Sequence, residues 1–253
     1  MNRTYSITTE EQRLSVVKAP PLTAASWAVG IIAVKLDYPK IPGNVANAAT
    51  FDFAVLYEEV AFPIEDLFAG SPALEQVVVA AAKRLEAAGV RVIIGACGFF
   101  AHFQKAVADA VDVPVYLSSL CQAPLALMGL RADQKLLVIA ADGASVDGEL
   151  LAQVGTAPDR LVVCDVGALP AFAPIRWGKL ELDNGALVHA LQALVIEQVN
   201  LHPEVGAILL ECSDLPPYAA DIQEATGLPV FDFITLANWA YHAVSQPRYY
   251  GYL

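Results

Sequence analysis

Two cysteines occupy positions where layered α/β proteins place their chemistry. Cys97 closes the apolar run "RVIIGAC" and Cys212 closes "VGAILLEC". Each lies seventeen residues ahead of a proline, Pro114 or Pro229, that opens the next apolar run, "PVYLSS" or "PVFDF". In open parallel sheets the ligand crevice lies beyond the carboxyl ends of the strands, where both thiols are expected. A thiol titrates near about 8.5, and lower beside a helix N-terminus, so it can both take and return a proton. Two sulfurs flanking one carbon could strip a proton from one face and deliver one to the other. Next to a carboxylate, the resulting carbanion spreads into that group and is held by oriented N–H donors, with no cofactor required. Cys164, in the middle of "LVVCDV", and Cys121, in "SSLCQAPLAL", read as packing residues.

The elements that must position the pair follow from pattern. "WAVGIIAVKL" (27–36), "FDFAVLYEEV", "RVIIGAC" and "VPVYLSS" read as strands, with helices over "SPALEQVVVAAAKRLEAAGV" and around "AHFQKAVADAV". Ser71 is the expected N-cap of the first of these helices, Pro72 its first residue and Gly89 its terminator. "QKLLVIAADG", "DRLVVCDV", "VGAILLEC" and "LPVFDF" repeat the plan, with helices over "ALVHALQALVIEQVN", "YAADIQEATG" and "TLANWAYHAVSQ". "APIRWGKLELDNG" reads as irregular, with an Asn-Gly turn. Continuous apolar strands alternating with helices predict a mostly parallel sheet covered on both faces. The equal spacing, together with acids that end the first strand of each half (Asp37, Asp142), predicts a duplication. The fold class expected is α/β: two similar lobes, each a short mostly parallel sheet flanked by helices, related by pseudo-twofold symmetry. The expected divisions are an N-terminal arm (1–27), a first lobe (28–125) joined by the C-terminal helix (235–253), and a second lobe (126–234).

At these residues the chain resembles the aspartate/glutamate/hydantoin racemase superfamily, over about residues 28–245. The resemblance rests on the duplicated layout and the placement of Cys97 and Cys212. It implies a crevice site between two lobes, a final helix returning to the first lobe, catalysis by two cysteines without a cofactor, and often a homodimer. The family commonly follows its first cysteine with Asn-Thr. Here Gly98 and Phe99 stand instead, leaving their backbone N–H groups to receive a carboxylate. Ser213 and Asp214 match the Thr and the Glu or His that usually follow the second cysteine. Asp37 matches an acid that some members place near the first. On predicted crevice loops, Asn47, Ser118 and Ser119 are candidate substrate contacts, with Asn44, Thr50 and Ser145 beside them. Arg176 is either a partner for a carboxylate or a solvated surface residue.

The bulk numbers narrow the partners. A formal charge of −12 argues against nucleic acid and anionic membrane, both of which require clustered Lys and Arg. With 56% hydrophobic and 17% charged residues, some apolar surface is expected in a homodimer or higher homo-oligomer. No apolar span of membrane length and no basic-then-apolar leader is read, and four cysteines make no disulfide framework, so a cytoplasmic protein is expected. Four scattered histidines give no metal-ligand spacing, and no metal is expected. "GASVDG" places its second glycine one residue late for a nucleophile elbow.

The functional expectation is an isomerase, a cofactor-independent racemase or epimerase in which Cys97 and Cys212 act on the α-carbon of an amino acid or related carboxylate. Two alternatives stand beside it. One is a decarboxylase or cis-trans isomerase of a malonate- or maleate-type acid on the same fold; the other is a two-lobed small-molecule binding protein without turnover.

Overall fold

The computed structural model describes residues 27–247 and Tyr249. The expected arm therefore lies, but for Trp27, outside the described residues, as does most of the aromatic tail. In the first half, β1 (Val29–Val34), β2 (Val55–Val60), β3 (Val92–Ala96) and β4 (Val115–Tyr116) form one sheet. In the second, β5 (Lys135–Ala140), β6 (Leu161–Asp165), β7 (Val205–Leu210) and β8 (Val230–Phe231) form another. Every pairing is parallel, and the strand orders, β2-β1-β3-β4 and β6-β5-β7-β8, are the same arrangement used twice. The duplication extends to single hydrogen bonds. Ile93 N donates to Pro114 O, and Ile208 N to Pro229 O, each at 2.9 Å. Phe100 N donates to Cys97 O, and Leu215 N to Cys212 O, each at 3.2 Å. The seventeen-residue spacing is therefore the distance from a strand end, through a helix, to the opening of the neighbouring strand.

The central strands β3, β5 and β7 are buried almost throughout, whereas β2 and β6, at the sheet edges, are partly open. That difference follows from helices covering both faces of the middle strands. The helices are α1 (Ile64–Phe68), α2 (Glu75–Ala87), α3 (Gln104–Ala108), α4 (Ala123–Met128), α5 (Gly148–Gln153), α6 (Ala173–Arg176), α7 (Asn184–Leu201), α8 (Ala219–Thr226) and α9 (Phe233–Val244). On the first sheet α2 covers one face with Val78, Ala81, Ala82 and Leu85. The other face buries Val29, Ile31, Val92 and Ile94 against Phe233, Leu236, Ala237 and Ala240 of α9. The last helix thus returns to the first sheet, locked by a capping box in which Asp232 accepts from Thr235 N and Thr235 Oγ1 accepts from Asp232 N.

Three local expectations are corrected. Ser71 makes no side-chain cap; residues Pro72–Leu74 form a tight 3-10 turn and α2 begins only at Glu75. The "APIR" stretch is helical as α6, because Pro174 near its start is compatible with a first turn. Asn184-Gly185 is no turn but the opening of α7, whose N-cap Asp183 accepts from Ala186 N at 2.9 Å. A capping acid one residue upstream outweighs the turn preference of Asn-Gly.

Candidate active site

The two strand ends meet across a cleft between the sheets. Cys97 follows β3 and opens a 3-10 segment, Gly98–Phe103, while Cys212 follows β7. Both thiols line the cleft with Tyr38, Lys40, Phe68, Phe99, Phe172, Arg176, Glu211, Ser213 and Asp214. Two glycines permit this approach. A Cβ at Gly95 would fall 2.1 Å from the carbonyl oxygen of Leu117, and one at Gly98 would fall 1.9 Å from Glu211 Oε1. The chain after β3 is therefore without a side chain where the second lobe's carboxyl packs.

Of the residues expected at the site, Cys97, Phe99, Cys212, Ser213 and Asp214 border the cleft. Gly98 borders Glu211. The others serve the frame. Ser213 Oγ donates to Ala96 O at 3.0 Å, so it lines the cleft while tying β7 to β3. Ser119 Oγ donates to Leu210 O at 2.8 Å and is fully buried, a second tie between the lobes. Ser118 caps the turn Ser119–Gln122 by accepting from Leu120 N. Asn47 caps the turn Ala48–Thr50 and donates to Lys40 O at 2.9 Å. Asp37 is exposed and is not part of the cleft lining. In this structure Ser118 and Asn47 therefore cap turns and Asp37 lies on the surface: short polar side chains after strands satisfy turn N–H groups first. His102, in the segment after Cys97, turns away to bond Phe68 O at 3.3 Å.

Asp214 is the polar hub. Its Oδ1 accepts from Tyr38 Oη at 2.5 Å and from the Asn44 side chain, and its Oδ2 accepts from the Cys212 thiol at 3.5 Å. Burial pushes its carboxyl up, against the pull of those three donors. Glu211 is wholly buried, and burial together with the charges of Asp142 and Asp214 pushes it up to about 8. Its Oε2 accepts from Ala141 N at 3.3 Å, while Oε1 has no hydrogen-bond partner among the described residues.

Both site thiols are raised well above their ordinary range, chiefly by burial. For Cys97 the charge of Glu211 comes next, opposed by the Phe99 N–H and, more weakly, by Arg176. For Cys212 the charges of Asp214 and Glu211 come next. The expected lowering by a helix N-terminus is thus overturned: the segments after the cysteines are short turns, and acids crowd them. Cys121 and Cys164 are pushed up to about 11 by burial, so the site pair differs from them in company rather than in direction.

Cationic groups face this acidity. The Arg176 side chain is 12% exposed, 3.4 Å from Glu65, and its guanidinium stacks 4.4 Å from the Phe68 ring centre. Arg176 is therefore not a solvated surface residue; α6 carries it into the cleft. Lys40 Nζ donates to Leu36 O at 2.5 Å and lies over the Tyr38 ring. Sequence reasoning missed Glu211, Tyr38 and Lys40. A glutamate terminating an otherwise apolar strand was the available signal, because acids rarely enter such runs without a task. Among the described residues no cluster of three metal-ligating side chains occurs, and no helix is long and apolar enough to cross a membrane.

This arrangement of two parallel four-stranded sheets is the fold of the Asp/Glu racemase superfamily. An aspartate racemase homologue from Pyrococcus horikoshii OT3 superposes with a TM-score of 0.54 at 18% identity, covering 86% of this chain and 99% of that one. Unliganded arylmalonate decarboxylase also gives 0.54 at 18% identity, covering 88% and 94%. No family model matches the chain. Sequence relatives are more specific. The dimethylsulfoniopropionate lyase of Durusdinium sp. clade D is 31% identical over 245 residues, covering 92% of this chain and 79% of that protein. Dimethylsulfoniopropionate lyase 3 of Emiliania huxleyi (strain CCMP1516) is 32% identical over 228 residues, or 86% of this chain and 60% of that protein. The chain belongs to the dimethylsulfoniopropionate lyase family. It spans about 60% of the length of the Emiliania huxleyi lyase.

Proposed function

We propose that the chain is a lyase that eliminates dimethyl sulfide from dimethylsulfoniopropionate, with Cys212 as the base. The carrying observation is the Cys212 thiol donating to Asp214 inside a cleft that also holds Arg176. The substrate is a propionate with a dimethylsulfonio group on C3, so its C2 protons are adjacent to a carboxylate and one bond from the carbon bearing the leaving group. Asp214 takes the Cys212 proton, and the thiolate removes a C2 proton. The C–H electron pair becomes the C2–C3 double bond, the C3–S bond breaks, and its pair leaves on sulfur. Acrylate and neutral dimethyl sulfide result, with one proton gained by the site and passed to solvent on turnover. Arg176 supports the reading by offering positive charge for the carboxylate as its charge grows.

Elimination needs one base, whereas inversion of a stereocentre needs two groups of matched competence on opposite faces. The two thiols are not matched: among the described residues only Cys212 donates to a side-chain carboxylate. The family and this asymmetry favour a lyase over the isomerase expected from the cysteine pair. Exposed Leu125, Met128, Trp177 and Leu180 support self-association as a further part of the proposal. The test is headspace detection of dimethyl sulfide with NMR detection of acrylate from dimethylsulfoniopropionate. Equal molar release of both products is expected from the wild type, and none above background would overturn the reading.

A further inference from the structure

We propose that Glu211 is the counter-charge for the onium head of the substrate, so that the cleft selects a small zwitterion whose cation carries no N–H or O–H. The inference rests on the lyase reading for the identity of the substrate but stands on its own geometry. Glu211 is fully buried and lines the cleft, and its Oε1 has no hydrogen-bond partner among the described residues. Its other oxygen receives a single backbone donor at 3.3 Å. Among the described residues its side chain is in no ion pair: Arg176 bonds Glu65 and Lys40 bonds Leu36 O. The fold makes room for this carboxyl by leaving residue 98 without a Cβ.

A buried acid serving only the frame would be consumed by hydrogen bonds, as Asp232 is by the Thr235 N–H in its capping box. An oxygen left uncommitted suits a partner that attracts by charge alone. A trialkyl onium is such a partner, since it cannot donate a hydrogen bond, and the Phe99 and Tyr38 rings in the same lining add faces that favour it. An anion at that end would meet Glu211, Asp214 and two thiols. The carboxylate of the zwitterion is thereby directed to Arg176.

Two consequences follow. A bound cation draws the Glu211 proton off to solvent, because ionised Glu211 binds the cation better than the neutral acid does. The cation also offsets the field of Asp214, and of Glu211 once it ionises, that opposes ionisation of Cys97 and Cys212. The groups whose charges act on Glu211 are Asp142, after β5, and Asp214, after β7; Cys97 and Cys212 lie beside it.

The test is calorimetry with two non-reacting probes of equal shape, 3-(trimethylammonio)propanoate and its uncharged-head isostere 4,4-dimethylpentanoate. Wild type at pH 8.5 is expected to prefer the cationic probe by about tenfold or more. That preference grows between pH 6.5 and 9, and at pH 7 binding releases most of one proton. E211Q brings the two affinities to within about twofold, flat with pH and without proton release. Retained preference in folded E211Q would overturn the proposal. So would a wild type with no preference, a pH-flat preference, or no binding of either probe, and these wild-type results decide the matter even if E211Q fails to fold. Dimethyl sulfide release is measured separately. Release without Glu211-dependent cation preference removes this inference alone, and preference without release removes only the lyase assignment.

Discussion

The ends of β3 and β7 occupy equivalent places in a doubled fold, yet they have diverged chemically. After β3 come Cys97, Gly98 and Phe99, with a backbone N–H as the thiol's nearest help and no acid of their own. After β7 come Cys212, Ser213 and Asp214, preceded by Glu211, so the second thiol sits between two buried carboxyls. The backbone turns are matched, down to the 3.2 Å bond three residues after each cysteine. The scaffold therefore fixes where two sulfurs meet a ligand, while neighbouring side chains decide whether they act as equals. Here they do not, and unequal thiols suit a reaction that moves one proton in one direction.

Breaking the acidic side should show first in stability. Glu211 is held up at about 8 by burial, above its unfolded value, so folding binds a proton that the unfolded chain has released. Its shift therefore adds no pH-dependent cost below the unfolded value, and the cost grows as pH rises until it levels off above about 8. The shift corresponds to roughly 5 kcal/mol as an upper bound. Denaturant titrations of wild type should show stability falling between pH 5 and 8. E211Q should fall less over the same window, and parallel curves for the two proteins would contradict the burial argument.

Next in size is the contact that interlocks the halves. In Gly98→Ala the added methyl meets Glu211 Oε1, so the variant should lose about 1–3 kcal/mol in the same titration. The double variant with Glu211→Ala should recover part of that loss, the rest coming from the Glu211 carbonyl oxygen 2.5 Å from the added methyl; equal losses with and without the Glu211 side chain would place the clash on the backbone rather than the carboxyl.

The smallest effect expected is at the hub. Tyr38→Phe removes one donor from Asp214 but leaves Asn44 and Cys212 in place, so Asp214 becomes a slightly better acceptor of the thiol proton. Turnover should change by less than about tenfold, with the rise of activity with pH displaced by a fraction of a unit. Abolished turnover would move Tyr38 from a positioning residue to a catalytic one.

Much of this was legible in the sequence because it depends on periodicity. The strands around Val29, Val92, Lys135 and Val205 are apolar runs bounded by turn residues, and the Cys97–Pro114 and Cys212–Pro229 intervals encode a repeated unit of backbone. The thiol pair could be placed at strand ends by the same reasoning. What could not be read was company. Asp214 follows Cys212 closely, but Tyr38 and Asn44 reach it from 176 and 170 residues away. Arg176 enters the cleft because α6 folds over Phe68, a contact between two short helices far apart in sequence. The thiol shifts run opposite to the lowering expected at a helix N-terminus for the same reason: burial and nearby carboxyls outweigh a short turn's N–H groups.

The most direct measurement is the turnover of dimethylsulfoniopropionate by wild type, C97S and C212S, each shown to be folded, followed as dimethyl sulfide and acrylate. If Cys212 is the base, C212S should lose about 10²–10⁴-fold in kcat, and C97S should keep markedly more activity than C212S. Equal abolition in the two variants, or a C212S enzyme as active as wild type, would contradict a lyase run by one thiol of an unequal pair.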